Sequence, residues 1–255
     1  MSGPDLAIHA SASALHEDAA GRFVDAAADA VGARGRFDVI LTGGSTLPAV
    51  YERLAAEPFR SRVAWREVRV WWSDERCVPP DDPRSNYGVA RAALLDRVPI
   101  PCEQIHRMRG EDPNPERAAI LHEATLRREQ SLPSGELPRF DFAFLGLGTD
   151  AHVASLFPGS ATLAMNDRLA AAVRRAEVAI PDPPVDRLTL TFPALNASRA
   201  AVFLVAGEVK AEAVRAVLEE PNDPALRPAQ GISPAGGAPA WILDRPAASL
   251  LEAAR

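Results

Sequence analysis

The chain has 255 residues, 47 % of them hydrophobic and 24 % charged, a balance typical of folded globular proteins that excludes disordered and fibrous classes. Its net charge of −6 leaves no basic excess to neutralise a nucleic-acid backbone or an anionic bilayer, so no nucleic acid and no membrane is expected as a partner; an anionic small molecule would need a local basic pocket. Two cysteines, Cys77 and Cys102, are too few for a disulfide framework and lack zinc-ligand spacing, and the start MSGPDLAIHA has neither the basic region nor the apolar run of a signal peptide; the expectation is a cytoplasmic protein without a metal.

Along the chain, β-type apolar runs at 6–9, 37–42, 68–72, 140–145, 188–192, 200–206 and 240–243 alternate with helical patterns at 13–31, 47–56, 87–95, 115–130, 208–219 and 247–254. Several runs are continuously apolar, as strands covered on both faces are. This predicts a Rossmann-like α/β fold, a mostly parallel sheet with helices on both faces. Proline-rich joints near 79–83, 99–101, 133–138 and 181–184 are too short for interdomain linkers. One domain over 1–255 is expected, with a small inserted subregion around 96–138.

In open α/β sheets, ligands bind outside the carboxyl ends of the strands, so the residues just past each run are the candidates for function. The second run ends in Thr42-Gly43-Gly44-Ser45-Thr46 at a helix start, where backbone N–H groups and the Ser45 and Thr46 hydroxyls suit an anion. Neither the Walker nor the dinucleotide pattern is present. The third run, VRVWW, leads into Ser73-Asp74-Glu75-Arg76 and then Arg84-Ser85-Asn86. Asp74 and Asn86 suit hydroxyl groups, and Arg76 or Arg84 a carboxylate or phosphate; a surface ion-pair cluster is the competing reading.

After 140–145 comes GLGTDAHVASLFPG, residues 146–159. Of the five histidines only His152 has a partnered motif: Asp150 is two residues away and can orient it, and imidazole suits proton transfer near neutrality. No GxSxG elbow exists, so Ser155 is a poor nucleophile and His152 acting on water is the simpler assignment. Ser155, Leu156 and Phe157 are expected to start a supporting helix. Arg187 precedes the run LTLTF and should lie at that strand's opposite end, reaching a pocket only if the proline-rich loop folds across. Of the 28 basic residues only Lys210 is lysine, which marks either a site for a compact ammonium or chance retention on a helix face.

TGGST, WWSDERCVPPDDPRSN, FLGLGTDAHVASLFPG and RLTLTFPALNASRAAVFLVAGEVKAEAV, in this order and spacing, closely resemble the 6-phosphogluconolactonases over nearly the whole chain. That resemblance implies a fold similar to the glucosamine-6-phosphate deaminases and ribose-5-phosphate isomerases. It also implies hydrolysis of the phosphorylated sugar lactone 6-phosphoglucono-1,5-lactone, the second step of the oxidative pentose phosphate pathway. By the same token it implies His152 as general base, Asp150 as its orienting partner, the Gly43, Gly44, Ser45, Thr46 loop with Lys210 on the phosphate, Arg76 on substrate or oxyanion, and no cofactor; Asp74, Asn86 and Arg187 complete the expected binding set. A monomer or small homo-oligomer is expected.

The family's loop usually reads Asp-Gly-His, whereas here Ala151 stands in the middle. Because every polar residue of the motif is kept, Ala151 is expected to stiffen the loop without forcing it into the left-handed region. The rival readings are a deaminase or isomerase on a sugar phosphate and a non-catalytic sugar-phosphate sensor. The deaminases continue this segment as Phe-Asn-Glu-Pro, where this chain has Ala-Ser-Leu-Phe-Pro-Gly, and no helix-turn-helix with a basic face precedes the domain.

Overall fold

The computed structural model describes residues 5–181 and 183–252. Its strands are β1 (Leu6–His9), β2 (Phe37–Leu41), β3 (Val68–Trp72), β4 (Asp74–Arg76), β5 (Phe140–Leu145), β6 (Ala170–Val173), β7 (Arg187–Leu190), β8 (Ser198–Val205) and β9 (Ala240–Asp244). Its helices are α1 (Ala12–Arg34), α2 (Leu47–Leu54), α3 (Asn86–Ala93), α4 (Pro115–Glu129), α5 (Phe192–Asn196), α6 (Ala211–Glu219) and α7 (Arg245–Ala248). The expected helix at 247–254 corresponds to α7, and the last residues of that range, from 253 on, lie outside the described residues.

Six strands form a wholly parallel sheet in the order β1-β9-β8-β5-β2-β3, with registers such as Val39↔Phe142 and Phe144↔Val202. Period-two alternation divides its side chains between two cores. Phe142 and Phe144 pack with Phe23 of α1 and with Phe37, while Ala143 and Leu145 on the same strand enter the opposite core, which α4, α6 and α7 close. Strands covered on both faces by helices account for the continuous apolar runs. Ser11 caps α1, accepting a hydrogen bond from the Ala14 N–H at 3.3 Å, and Gly35 in the left-handed region ends it.

The mostly parallel sheet expected from the sequence holds for six of the seven predicted strands. The run read as a strand at 188–192 is β7, and it joins a separate three-stranded antiparallel sheet, β4-β7-β6. Ser73 is the switch point between the sheets: its N–H still donates to Leu41 of β2 at 2.8 Å, while its carbonyl accepts from Leu190 of β7, also at 2.8 Å. The chain of β3 therefore leaves the parallel sheet after Trp72 and pairs sideways as β4. Helix α4 packs against β6 and β7. The small sheet thus stands over the carboxyl edge of the large one, and the gap between them is the cleft described next.

Candidate active site

A cleft of about 220 Å³ opens between the loops after β2 and β5 on one side and the small sheet on the other. Gly43, Gly44, Asp74, Arg76, Asn86, His152, Arg187 and Lys210 all line it. Ser45 and Thr46 do not; they line a smaller adjoining cavity that shares Gly43, Gly44, Gly146 and Lys210 with the main cleft. Asp150 stands behind His152 rather than on the cleft wall.

His152 and Asp150 are a tight pair, Nδ1 to Oδ1 at 2.5 Å, and the same oxygen accepts the His152 backbone N–H at 3.2 Å. A carboxylate can only accept, so Nδ1 carries a proton in either charge state of the ring, and in the neutral imidazole Nε2 keeps its lone pair. Burial opposes ionisation of Asp150, yet the hydrogen bonds and charge of His152 outweigh it and hold the carboxyl below the ordinary carboxylate range. The Phe157 ring, 4.7 Å from the imidazole, limits its swing from the other side.

Gly148 makes this pairing possible. A Cβ built there would sit 2.0 Å from His152 Nδ1 and 2.5 Å from Asp150 Oδ1, inside the space the two side chains occupy. The loop is closed by backbone hydrogen bonds from Gly148 N–H to the His152 carbonyl at 2.9 Å and from Ala151 N–H to the Gly148 carbonyl at 3.1 Å.

Ala151 overturns one expectation. It lies at φ +64°, in the left-handed region, and Ala154 follows at φ +51°. This backbone sits between Asp150 and His152, whose carboxylate and imidazole meet across it. The conformation costs an L-residue roughly 1–2 kcal/mol. It is held because Ala151 is buried and its carbonyl accepts from Ala229 N–H at 3.0 Å. The helix expected from Ser155 is likewise absent: 154–155 are a turn closed by an isolated bridge between Val153 and Leu156, 157 is irregular, and 158–159 form another turn.

The opposite wall is a buried polar network. Asp74 accepts from Ser73 Oγ (3.2 Å), Asn86 Nδ2 (3.1 Å) and Ser155 Oγ (2.7 Å), which leaves it little spare acceptor capacity. Asn86 Oδ1 is buried without a partner and faces Gly43, where a built Cβ would stand 1.9 Å away. Ser155, dismissed as a nucleophile, thus acts as a tie between the His152 loop and the small sheet.

Glu75 escaped the sequence reading of this cluster as anything more than surface charge. Its buried carboxylate accepts from Ser85 Oγ and from the backbone N–H groups of Arg76, Asn86 and Tyr87, all between 2.7 and 3.0 Å. Burial raises its proton affinity, and the N–H groups at the start of α3 pull the other way. It pins the 79–86 loop to β4 and so places both Arg76 and Asn86.

Three cations converge on the cleft. Arg76 is braced by the Arg84 carbonyl at 2.6 Å. Arg187 is 4 % exposed and bonds only the carbonyls of Val185, Pro183 and Pro181; among the described residues no carboxylate pairs with it, and burial lowers its proton affinity. The proline-rich loop does fold across, so Arg187 reaches the site even though it starts β7. Lys210 ends a 3-10 turn before α6 and donates to the Leu147 carbonyl at 2.7 Å, tying itself to the loop that carries His152. Burial lowers its proton affinity and Asp150 partly restores it. An incompletely compensated set of cations around a proton acceptor is suited to an anionic substrate that must be attacked by water.

The chain matches the family model described as glucosamine-6-phosphate isomerases/6-phosphogluconolactonase over residues 10–241. It is 39 % identical to a 6-phosphogluconolactonase of Nostoc sp. over 87 % of this chain and 88 % of that one. A 6-phosphogluconolactonase of Mycobacterium tuberculosis is 38 % identical over 90 % and 91 %. Among solved structures, the 6-phosphogluconolactonase from Trypanosoma cruzi superimposes with a TM-score of 0.85 at 26 % identity, covering 99 % of this chain and 98 % of that one. With the parallel sheet, the cleft at its carboxyl edge and the intact motifs in place, the chain belongs to the glucosamine-6-phosphate isomerase/6-phosphogluconolactonase family.

Proposed function

We propose that this protein hydrolyses 6-phospho-D-glucono-1,5-lactone to 6-phospho-D-gluconate, with His152 as the general base. The observation that carries the reading is the Asp150–His152 pair, which fixes the tautomer so that Nε2 is free to take a proton beside three cationic side chains. The kinship with lactonases supplies the substrate class.

The reaction requires a new C–O bond from water to the lactone carbonyl carbon. As it forms, Nε2 of His152 takes a proton from the water and the carbonyl oxygen becomes an oxyanion, whose charge Arg76 offsets. Collapse of the tetrahedral intermediate breaks the bond between carbonyl carbon and ring oxygen. The imidazolium returns its proton to that leaving oxygen, and the free acid loses its own proton to solvent. Asp150 stabilises the imidazolium while it exists. Lys210 with the Gly43, Gly44, Ser45, Thr46 loop holds the phosphate, and Asp74, through its one remaining acceptor site, orients a hydroxyl group together with Asn86. Arg187 supplies a second fixed positive charge. A lactone is already an activated ester, so the step needs proton transfer and charge stabilisation alone.

The test is acid release from freshly prepared 6-phosphogluconolactone, corrected for spontaneous hydrolysis, alongside ammonia release from glucosamine 6-phosphate. Accelerated acid release without ammonia is expected; ammonia release, or no acceleration over the spontaneous rate, overturns the reading.

A further inference from the structure

Away from the cleft, α4 and the segment before it enclose a second cavity of about 280 Å³, lined by Arg107, Arg109, Ala118, His122, Thr125 and Arg128 among others. Three guanidinium groups around one cavity stand out on a chain whose net charge is −6. His122, Thr125 and Arg128 follow one another at three-residue spacing and share a face of α4. Arg107 and Arg109 come from the facing segment, so the cations reach the cavity from both walls.

Most of these groups are held in place. Arg107 is bidentate to Glu111 at 2.7 and 2.8 Å and lies over the Tyr87 ring, 5.5 Å from its centroid. The segment is anchored at Gly110, where a built Cβ would lie 2.2 Å from the Arg76 carbonyl oxygen and 3.0 Å from that of Val78, so only glycine lets it sit directly on β4. Arg128 pairs with Glu129 at the surface, a contact worth little and easily exchanged for an anion. Arg109 has no ion pair among the described residues, and buried His122 has an Nε2 with no partner. Arg109 feels the charges of Glu111 and Asp112 without hydrogen bonding to either, so the cavity is lined both by an orphaned buried polar atom and by a guanidinium with unmet hydrogen-bonding capacity among the described residues.

We propose that this cavity is a second anion-binding site, for inorganic phosphate or the phosphate group of a small phosphate monoester. Arg109 and Arg128 are its principal donors, with Arg107 fixed beside them. The planar, multiply donating guanidinium is the group best matched to phosphate oxygens, and the cavity is near the lower size limit of small-molecule sites. The site adjoins the strand that carries Arg76 yet shares no lining residue with the catalytic cleft.

The experiment is a titration of the ¹⁵N-labelled full-length protein with inorganic phosphate, read from amide shifts. Saturable shifts are expected at Arg107, Arg109, Thr125 and Arg128. In the exposed double variant Arg109→Ala/Arg128→Ala the affinity read from those amides should fall at least about tenfold, the loss of two charge-assisted contacts. Shifts at Gly44 and His152 in the cleft should be unaltered by the double variant. Absence of saturable shifts around α4 in the wild type, or the same affinity there in the double variant, overturns the proposal.

Discussion

The missing side chain at Gly148 leaves room for the His152 imidazole and the Asp150 carboxylate to meet. Asp150 and His152 were legible because a side chain's chemistry is written in its letter, and a strand end is where such letters count. Gly148 was legible as a glycine but not for its reason, which is the room that the imidazole and carboxylate occupy. Gly148→Ala should therefore displace the pair and depress kcat by one to two orders of magnitude, roughly the scale of losing an oriented base, with the melting temperature little changed. Wild-type kcat in a folded Gly148→Ala protein would show that the 2.5 Å contact is not needed for turnover. Glu75 was illegible for the opposite reason: its partners are mostly backbone N–H groups, one of them its neighbour's and two at 86 and 87, and no side-chain motif announces them.

At the scale of elements, long apolar strands such as β5 and β8 were readable, since burial on both faces leaves a continuous run. The short strands β4 and β6 were not. Asp74–Arg76 is charged because it borders a cleft, and Ala170–Val173 reads AAAV, a composition equally at home in a helix. Their sheet follows from the sideways step at Ser73, a tertiary event with no local signature. The loop from 146 to 159 lies between these cases, its polar residues readable and its left-handed backbone hidden at Ala151 and Ala154. Ala151→Gly should relieve the strain and, after the larger chain entropy of glycine is subtracted, raise unfolding stability by up to about 1 kcal/mol, leaving activity in place. Chemical denaturation checks this; a destabilised variant would mean that Ala151's buried methyl contributes more than its backbone costs.

For the whole molecule, the large sheet and its two cores come directly from hydrophobic periodicity, while the composite cleft depends on two sheets meeting. Burial also gives the folded chain a defined response to acid. His106, stacked on Trp71 at 4.1 Å, and His122 are both driven by burial from the usual histidine value down to about 4, with His106 adding to the effect on His122. Between pH 6.5 and about 4 the unfolded chain takes up protons at these imidazoles that the folded chain refuses. Their contribution to stability is thus fully present above pH 6.5 and lost as the pH falls towards 4, on the order of 3 kcal/mol for His122. Unfolding free energy measured across that window should fall with pH, and more shallowly in His122→Gln; equal slopes in the two proteins would contradict the assignment.

In the proposed reaction His152, oriented by Asp150, activates water against a phosphorylated lactone. The most direct test is the initial rate of acid release from 6-phosphogluconolactone, after subtraction of spontaneous hydrolysis, for wild type and His152→Ala at matched melting temperature. A fall of roughly 10²–10⁴-fold in kcat is expected, the usual worth of a positioned general base. A folded His152→Ala protein that hydrolyses the lactone at the wild-type rate would contradict it.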